Sequence, residues 1–131
     1  MKDITIGITG TAETSATNDK LASTMGSGAL DVFATPAMVA LMENAAAGLL
    51  SDYLEGDETT VGTELNISHS SATPAGMKVR AEAVLTAVNG REFSFDVSAY
   101  DEAGLIGKGT HKRFLVYGEK FLGKTNSKCS K

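Results

Sequence analysis

The sequence holds one cysteine among its 131 residues, Cys129, third from the end. A single terminal thiol excludes an intramolecular disulfide and leaves nothing around which to build a thiolate metal site, which fits a reducing compartment. Also missing is any apolar run near the roughly 20 residues that cross a bilayer as a helix. Met1-Lys2-Asp3 leads into alternating Ile and Thr instead of the apolar stretch of a signal peptide. The expectation is a cytoplasmic protein with no membrane partner. Excess positive charge is absent too: the net charge is −4 and the pI about 5.1, which speaks against nucleic acid as a partner. An acidic chain can still grip phosphates locally. Lys78, Arg80, Arg91, Lys108 and Lys112 are candidates, each weak on its own because scattered surface cations are common. Only two prolines stand against fourteen glycines, a balance that favours sheet and tight turns.

What is present is the composition of a globular chain, 42% hydrophobic and 21% charged. The length suits one domain over residues 1–131. Residues 118–131, with Lys120, Lys124, Lys128 and Lys131, are expected to form a solvated, partly frayed tail. Ile4, Ile6 and Ile8 alternate with polar residues and predict a first strand; residues 9–31 show no clear period. Thr35-Pro36 reads as an N-cap followed by proline at the first helical position. From Met38 to Leu54 apolar residues recur at helical spacing, until Glu55-Gly56-Asp57 ends the helix. The far side of this helix shows Ala40, Asn44, Ala47 and Ser51 where a surface helix would carry charge, so it should be wrapped on most sides. Val61, Thr63, Leu65, Ile67 and His69 share one strand parity. Val79, Ala81, Ala83 and Leu85 share another, and Asn89-Gly90 marks a hairpin. Phe93, Phe95, Val97 and Ala99 alternate next, and Ile106 to Tyr117 forms the last strand. One long helix followed by four antiparallel strands makes an α+β fold.

Glu43 is the only charged residue between Val32 and Ser51, at the edge of an apolar helical arc. A carboxylate there is costly unless paired or functional, which suits a general base or nucleophile; an edge Glu that reaches solvent or a lysine fits the pattern equally. His69 shares the parity of apolar neighbours near a strand end, and polar, turn-rich residues surround it. Thr35 is a cap that can carry a second role. Thr35 and Glu43 lie eight residues apart, about 12 Å along a helix axis. A site using both must span a bound substrate or be completed by another subunit. Gly104-x-x-Gly107-x-Gly109 lies within strand on both sides and is not a dinucleotide loop. His111 and Arg113 share the face of Leu115, and an inward arginine there suits a structural ion pair.

Together these residues resemble the fluoroacetyl-CoA thioesterase family of hotdog proteins. The resemblance rests on Val32-Phe-Ala-Thr35, Val39-Ala-Leu-Met-Glu43, Val61-Gly62-Thr63, His69-Ser-Ser-Ala-Thr-Pro74 and Gly107-Lys-Gly-Thr-His-Lys-Arg113, and runs from about Val32 to Lys124. It implies a hotdog fold, an antiparallel sheet wrapped around one central helix. It also implies a homodimer, or paired dimers in a tetramer, with the site at the subunit interface. The catalytic set it implies is Thr35, Glu43 and His69, with Gly62 presenting a backbone N–H and Arg113 as an active-site arginine. The substrate is then an acyl-CoA, hydrolysed to the free acid and CoA with no metal and no separate cofactor. Where fluoroacetyl-specific members carry two lid phenylalanines, this chain has Gly26 and Ala29, so a less selective enzyme for short or medium acyl chains is expected. The alternative is a non-catalytic acyl-CoA-binding module. A hydratase of this fold would need an Asp close to its His, and His69 has Asn66 and Ser68 instead.

Overall fold

Five antiparallel strands curl around one long helix in residues 1–129, the part of the chain that the computed structural model describes. In chain order the elements are β1 (Thr9–Ser15), a short helix α1 (Ala22–Met25), the long helix α2 (Thr35–Ser51), β2 (Glu58–His69), β3 (Lys78–Asn89), β4 (Glu92–Asp101), β5 (Gly104–Tyr117) and α3 (Gly118–Asn126). The sheet order is β1-β3-β4-β5-β2, so β1 and β2 are its edges. Helix α2 buries pairs four residues apart, Ala37/Met38, Leu41/Met42, Ala45/Ala46 and Leu49/Leu50, against the sheet. The alternating residues of β3 and β4 answer from the other side: Val79, Ala81, Ala83 and Leu85, then Phe93, Phe95, Val97 and Ala99, are all buried. The hairpin at Asn89-Gly90 forms with Asn89 opposite Glu92 and Gly90 at φ 63°.

The first strand lies later than the isoleucines suggested. It is Thr9–Ser15 that pairs with β3, while Ile4 and Ile8 pack half-buried against the core and Ile6 is exposed. The reason is steric. A Cβ on Gly10 would lie 2.5 Å from the Ala45 carbonyl oxygen and 2.7 Å from Leu49 Cβ. A strand this close to the helix turns the small residues Gly10, Ala12 and Thr14 inward and leaves no strong apolar alternation to read. Helix α2 also ends sooner than expected, at Ser51 with Asp52 as C-cap. Tyr53 turns back onto Leu50, and its carbonyl accepts from the Lys2 N–H. Residues 118–126, expected as tail, form α3 with no buried side chain. Asp57 starts it, accepting the Gly118 N–H on its carbonyl and the Glu119 N–H on its carboxylate. Residues 130 and 131 lie outside the described residues.

A β-bulge in β2 overturns the single parity expected for that strand. Gly62 opposes Arg113 and Glu64 opposes Lys112, leaving Thr63 unpaired. On a regular strand Gly62 and His69, seven residues apart, would face opposite sides. The extra residue turns both toward the helix, and Val61 and Thr63 fall outside the inward set.

Candidate active site

The site residues line the seam between α2 and the edge strand β2, in two groups. At the start of the helix, Thr35 Oγ1 lies 2.7 Å from His69 Nδ1. Thr35 is not the cap expected. Ala34 holds the N-cap position, and Thr35 and Pro36 open the helix. The hydroxyl is therefore free of backbone duty and goes to the histidine. Burial holds the His69 imidazole below the ordinary histidine value, with the Ser71 backbone acting in the opposite direction. His69 Nε2 is buried with no hydrogen-bond partner among the described residues, an expensive state for a polar atom unless a ligand or a second chain completes it. Beside this pair is a cavity of about 240 Å³ whose lining includes Ala22, Ser27, Phe33 and Ala72.

Two turns along the helix, Glu43 forms the second group. Its Oε2 stands 3.6 Å from Arg113 Nη1, with the arginine side chain 9% exposed and the glutamate 41%. Thr60 anchors the guanidinium, accepting from Nε at 2.9 Å on its hydroxyl and from Nη2 at 3.0 Å on its carbonyl. Burial lowers the arginine pKa and the nearby Glu43 carboxylate opposes that; Arg113 stays charged. Gly62 leaves the room this carboxylate occupies, since a Cβ there would lie 2.6 Å from Glu43 Oε2. A cavity of about 250 Å³ opens here between Val39, Glu43, Gly62, Leu65 and His111.

The structure thus joins Thr35 with His69, and Glu43 with Gly62 and Arg113. Within the chain the two pairs remain separate stations on one seam. The phosphate-gripping candidates do not gather there. Arg80 pairs with Glu82 and lies over the Tyr100 ring, and Arg91 lies over Phe114. Lys108 faces away from the helix, in a hollow shared with Ser68 and Ser98. Thr60 went unread in the sequence because the bulge hides its parity. Gly26, at φ 77°, ends α1 beside this region. Among the described residues no three His, Cys, Asp or Glu side chains are grouped to hold a metal, and no helix is long and apolar enough to cross a membrane.

A long helix in a curled antiparallel sheet, with polar side chains gathered on the helix–edge-strand seam, defines the class: a hotdog-fold thioesterase. A family profile described as fluoroacetyl-CoA-specific thioesterase matches residues 16–119, and the chain belongs to that family. It is 44% identical over 98 residues to the fluoroacetyl-CoA thioesterase of Streptantibioticus cattleyicolor, covering 75% of this chain and 70% of the relative. A solved fluoroacetyl-CoA thioesterase superposes with a TM-score of 0.91 at 34% identity, over 97% of this chain and 98% of that one. A Thermus thermophilus member of the thioesterase superfamily does so with 0.90 at 27%, over 98% and 96%.

Proposed function

We propose that the chain hydrolyses short- or medium-chain acyl-CoA thioesters to the free acid and CoA, using Thr35, Glu43 and His69 at the interface of a homodimer. The observation that carries this reading is the seam itself. It holds a hydroxyl–imidazole pair at one end and a carboxylate with its guanidinium at the other, each beside a cavity. The Gly62 N–H polarises the thioester carbonyl and stabilises the developing oxyanion. Glu43 draws a proton from the attacking water, or attacks the carbonyl itself to give a mixed anhydride that water then hydrolyses to the free acid; in either case water supplies the proton that ends on CoA. Thr35 orients the reacting group, and His69 delivers the proton to the departing CoA thiolate. Arg113, 3.6 Å away, faces the Glu43 carboxylate.

Two features support a second copy of the chain. Strand β2, with the site on it, is an unpaired edge. Along α2 the residues Pro36, Ala40, Asn44 and Gly48 form an exposed strip without charge, which a partner subunit would cover. A thioester lying across two subunits also resolves the separation of Thr35 from Glu43. One domain carries the activity, and its lone exposed cysteine suits the cytoplasm. Gly26 and Ala29 stand where the family resemblance places lid phenylalanines, so the acyl group is held by Ala22, Val32, Phe33 and Ala72 without those two lid side chains. Selectivity for fluoroacetyl is then weak.

The test is release of free thiol from a panel running from acetyl- to octanoyl-CoA, with fluoroacetyl-CoA included. Turnover with a broad optimum supports the proposal. Binding of acyl-CoA without turnover of any member overturns it in favour of a binding module.

A further inference from the structure

Behind Glu43 lies a histidine that no step of the reaction uses. His111 is 1% exposed and stacks on Phe95 with ring centroids 6.0 Å apart. Its Nδ1 is 2.8 Å from the Glu64 carbonyl oxygen. A carbonyl only accepts, so Nδ1 carries the proton. Its Nε2 is 3.2 Å from Arg113 Nη1. A guanidinium only donates, so Nε2 is bare. The two contacts fix one neutral tautomer. Burial favours that neutral state first; the Glu64 carbonyl opposes it, Arg113 supports it and Glu43 opposes it.

Arg113 Nη1 therefore faces two acceptors, the bare imidazole nitrogen at 3.2 Å and Glu43 Oε2 at 3.6 Å. Its other nitrogens are held by Thr60. We propose that His111 is a positioning residue for Glu43: by accepting an Nη1–H it restrains Arg113 from closing onto the carboxylate, so that Glu43 keeps an oxygen free to act on substrate. The proposal rests on the thioesterase reading above. Without the acceptor, the buried guanidinium gains most by closing the gap to a charge-assisted hydrogen bond of about 2.8 Å. A carboxylate held that way is the poorer base and nucleophile. Gly62 and the bulge keep the space in which the looser arrangement stands.

The test is acyl-CoA hydrolysis by the wild type, His111→Leu, Glu43→Gln and the double variant, with His111→Gln as the variant that retains an acceptor. His111→Leu should lower kcat on the order of tenfold to a hundredfold, with KM within about twofold. His111→Gln should recover most of that loss. In the Glu43→Gln background the leucine substitution should cost far less than it does alone, because the two residues act as one unit. Equal losses in both backgrounds, or a glutamine variant as impaired as the leucine one, would mean a packing role and overturn the proposal. Should the leucine variant fail to fold, the wild-type imidazole ¹⁵N spectrum decides. A neutral ring protonated at Nδ1 at about pH 7 supports the assignment, and any other state overturns it. A wild type that turns over no acyl-CoA removes the thioesterase reading and this role together. An active wild type whose His111→Leu form keeps its kcat removes this role alone.

Discussion

Replacing Gly62 by alanine places one methyl group where the Glu43 carboxylate now sits. The added Cβ would lie 2.6 Å from Glu43 Oε2, 3.2 Å from His111 Cε1 and 3.4 Å from Arg113 Nη1. Gly62 is not among the positive-φ glycines, so alanine fits the backbone without strain. Hydrogen bonds and burial hold the imidazole and the guanidinium. The atom that yields is Glu43 Oε2, the far end of a side chain 41% exposed. An ordinary carbon–oxygen contact is about 3.3–3.6 Å, so the oxygen must retreat by about 0.7–1 Å. For folding this is a rotamer adjustment costing about 0.5–1.5 kcal/mol, a Tm change of about 2–5 °C. For catalysis a misplacement of about 1 Å costs up to a hundredfold, or about 2.7 kcal/mol in the barrier. The expected result is a ten- to hundredfold loss of kcat/KM in a thiol-release assay with a melting transition close to the wild type. Gly109→Ala is the contrast. Its Cβ would run into the Asn66 carbonyl and Ile67 Cα, backbone atoms that cannot swing away, so it should lose stability first. A folded Gly62→Ala enzyme with kcat/KM within about twofold of the wild type would refute the placement of Glu43 in the reaction.

The remaining predictions concern the other anchors. Thr35 caps nothing, so Thr35→Ala should change stability by less than about 1 kcal/mol yet lower turnover at least about tenfold, while Thr35→Ser keeps most of it; a melting loss as large as a lost cap would contradict this. Arg113→Lys removes the bonds from Nε and Nη2 to Thr60, which one ammonium cannot replace, and should cost about 1.5–3 kcal/mol in urea unfolding. Burial holds His69 and His111 below the ordinary histidine value. Between those depressed values and about 6.5 the unfolded chain binds more protons, so stability is fully present above about 6.5 and falls as pH drops toward the folded values. The urea midpoint should be lower at about pH 5 than at about pH 7.5, and an unchanged or higher midpoint would contradict the burial of neutral rings.

Where one side chain per position decided the structure, the sequence was legible. The alternation of β3 and β4, the hairpin at Asn89-Gly90 and the four-residue pairing along α2 follow from burial on one face. Glu43 and His69 stood out as polar groups in an apolar setting, whereas Thr35 read only as a helix cap, and it was the family resemblance that joined the three. Contacts between backbones left weaker marks. Strand β1 stayed hidden because Gly10 must lie against Ala45 and Leu49, and α3 because its start depends on Asp57, 62 residues before Glu119. The bulge at Thr63 shows no signature of its own. It decides that Thr60 and Gly62 face inward together with Leu65 and His69, and so sets Thr60 and Gly62 against Arg113 and Glu43. The two-acceptor arrangement around Arg113 was out of reach for the same reason. His111 and Arg113 were visible as neighbours on one face, but the partners that fix them lie on β2.

Under the proposed function, Glu43 and His69 act in one thioester-hydrolysing site. The most direct measurement is kcat/KM of Glu43→Ala and His69→Ala on the best acyl-CoA of the panel, with melting and oligomeric state checked on the same samples. Each variant should fold and assemble as the wild type does while losing at least about a hundredfold. Wild-type turnover in either folded variant would contradict it.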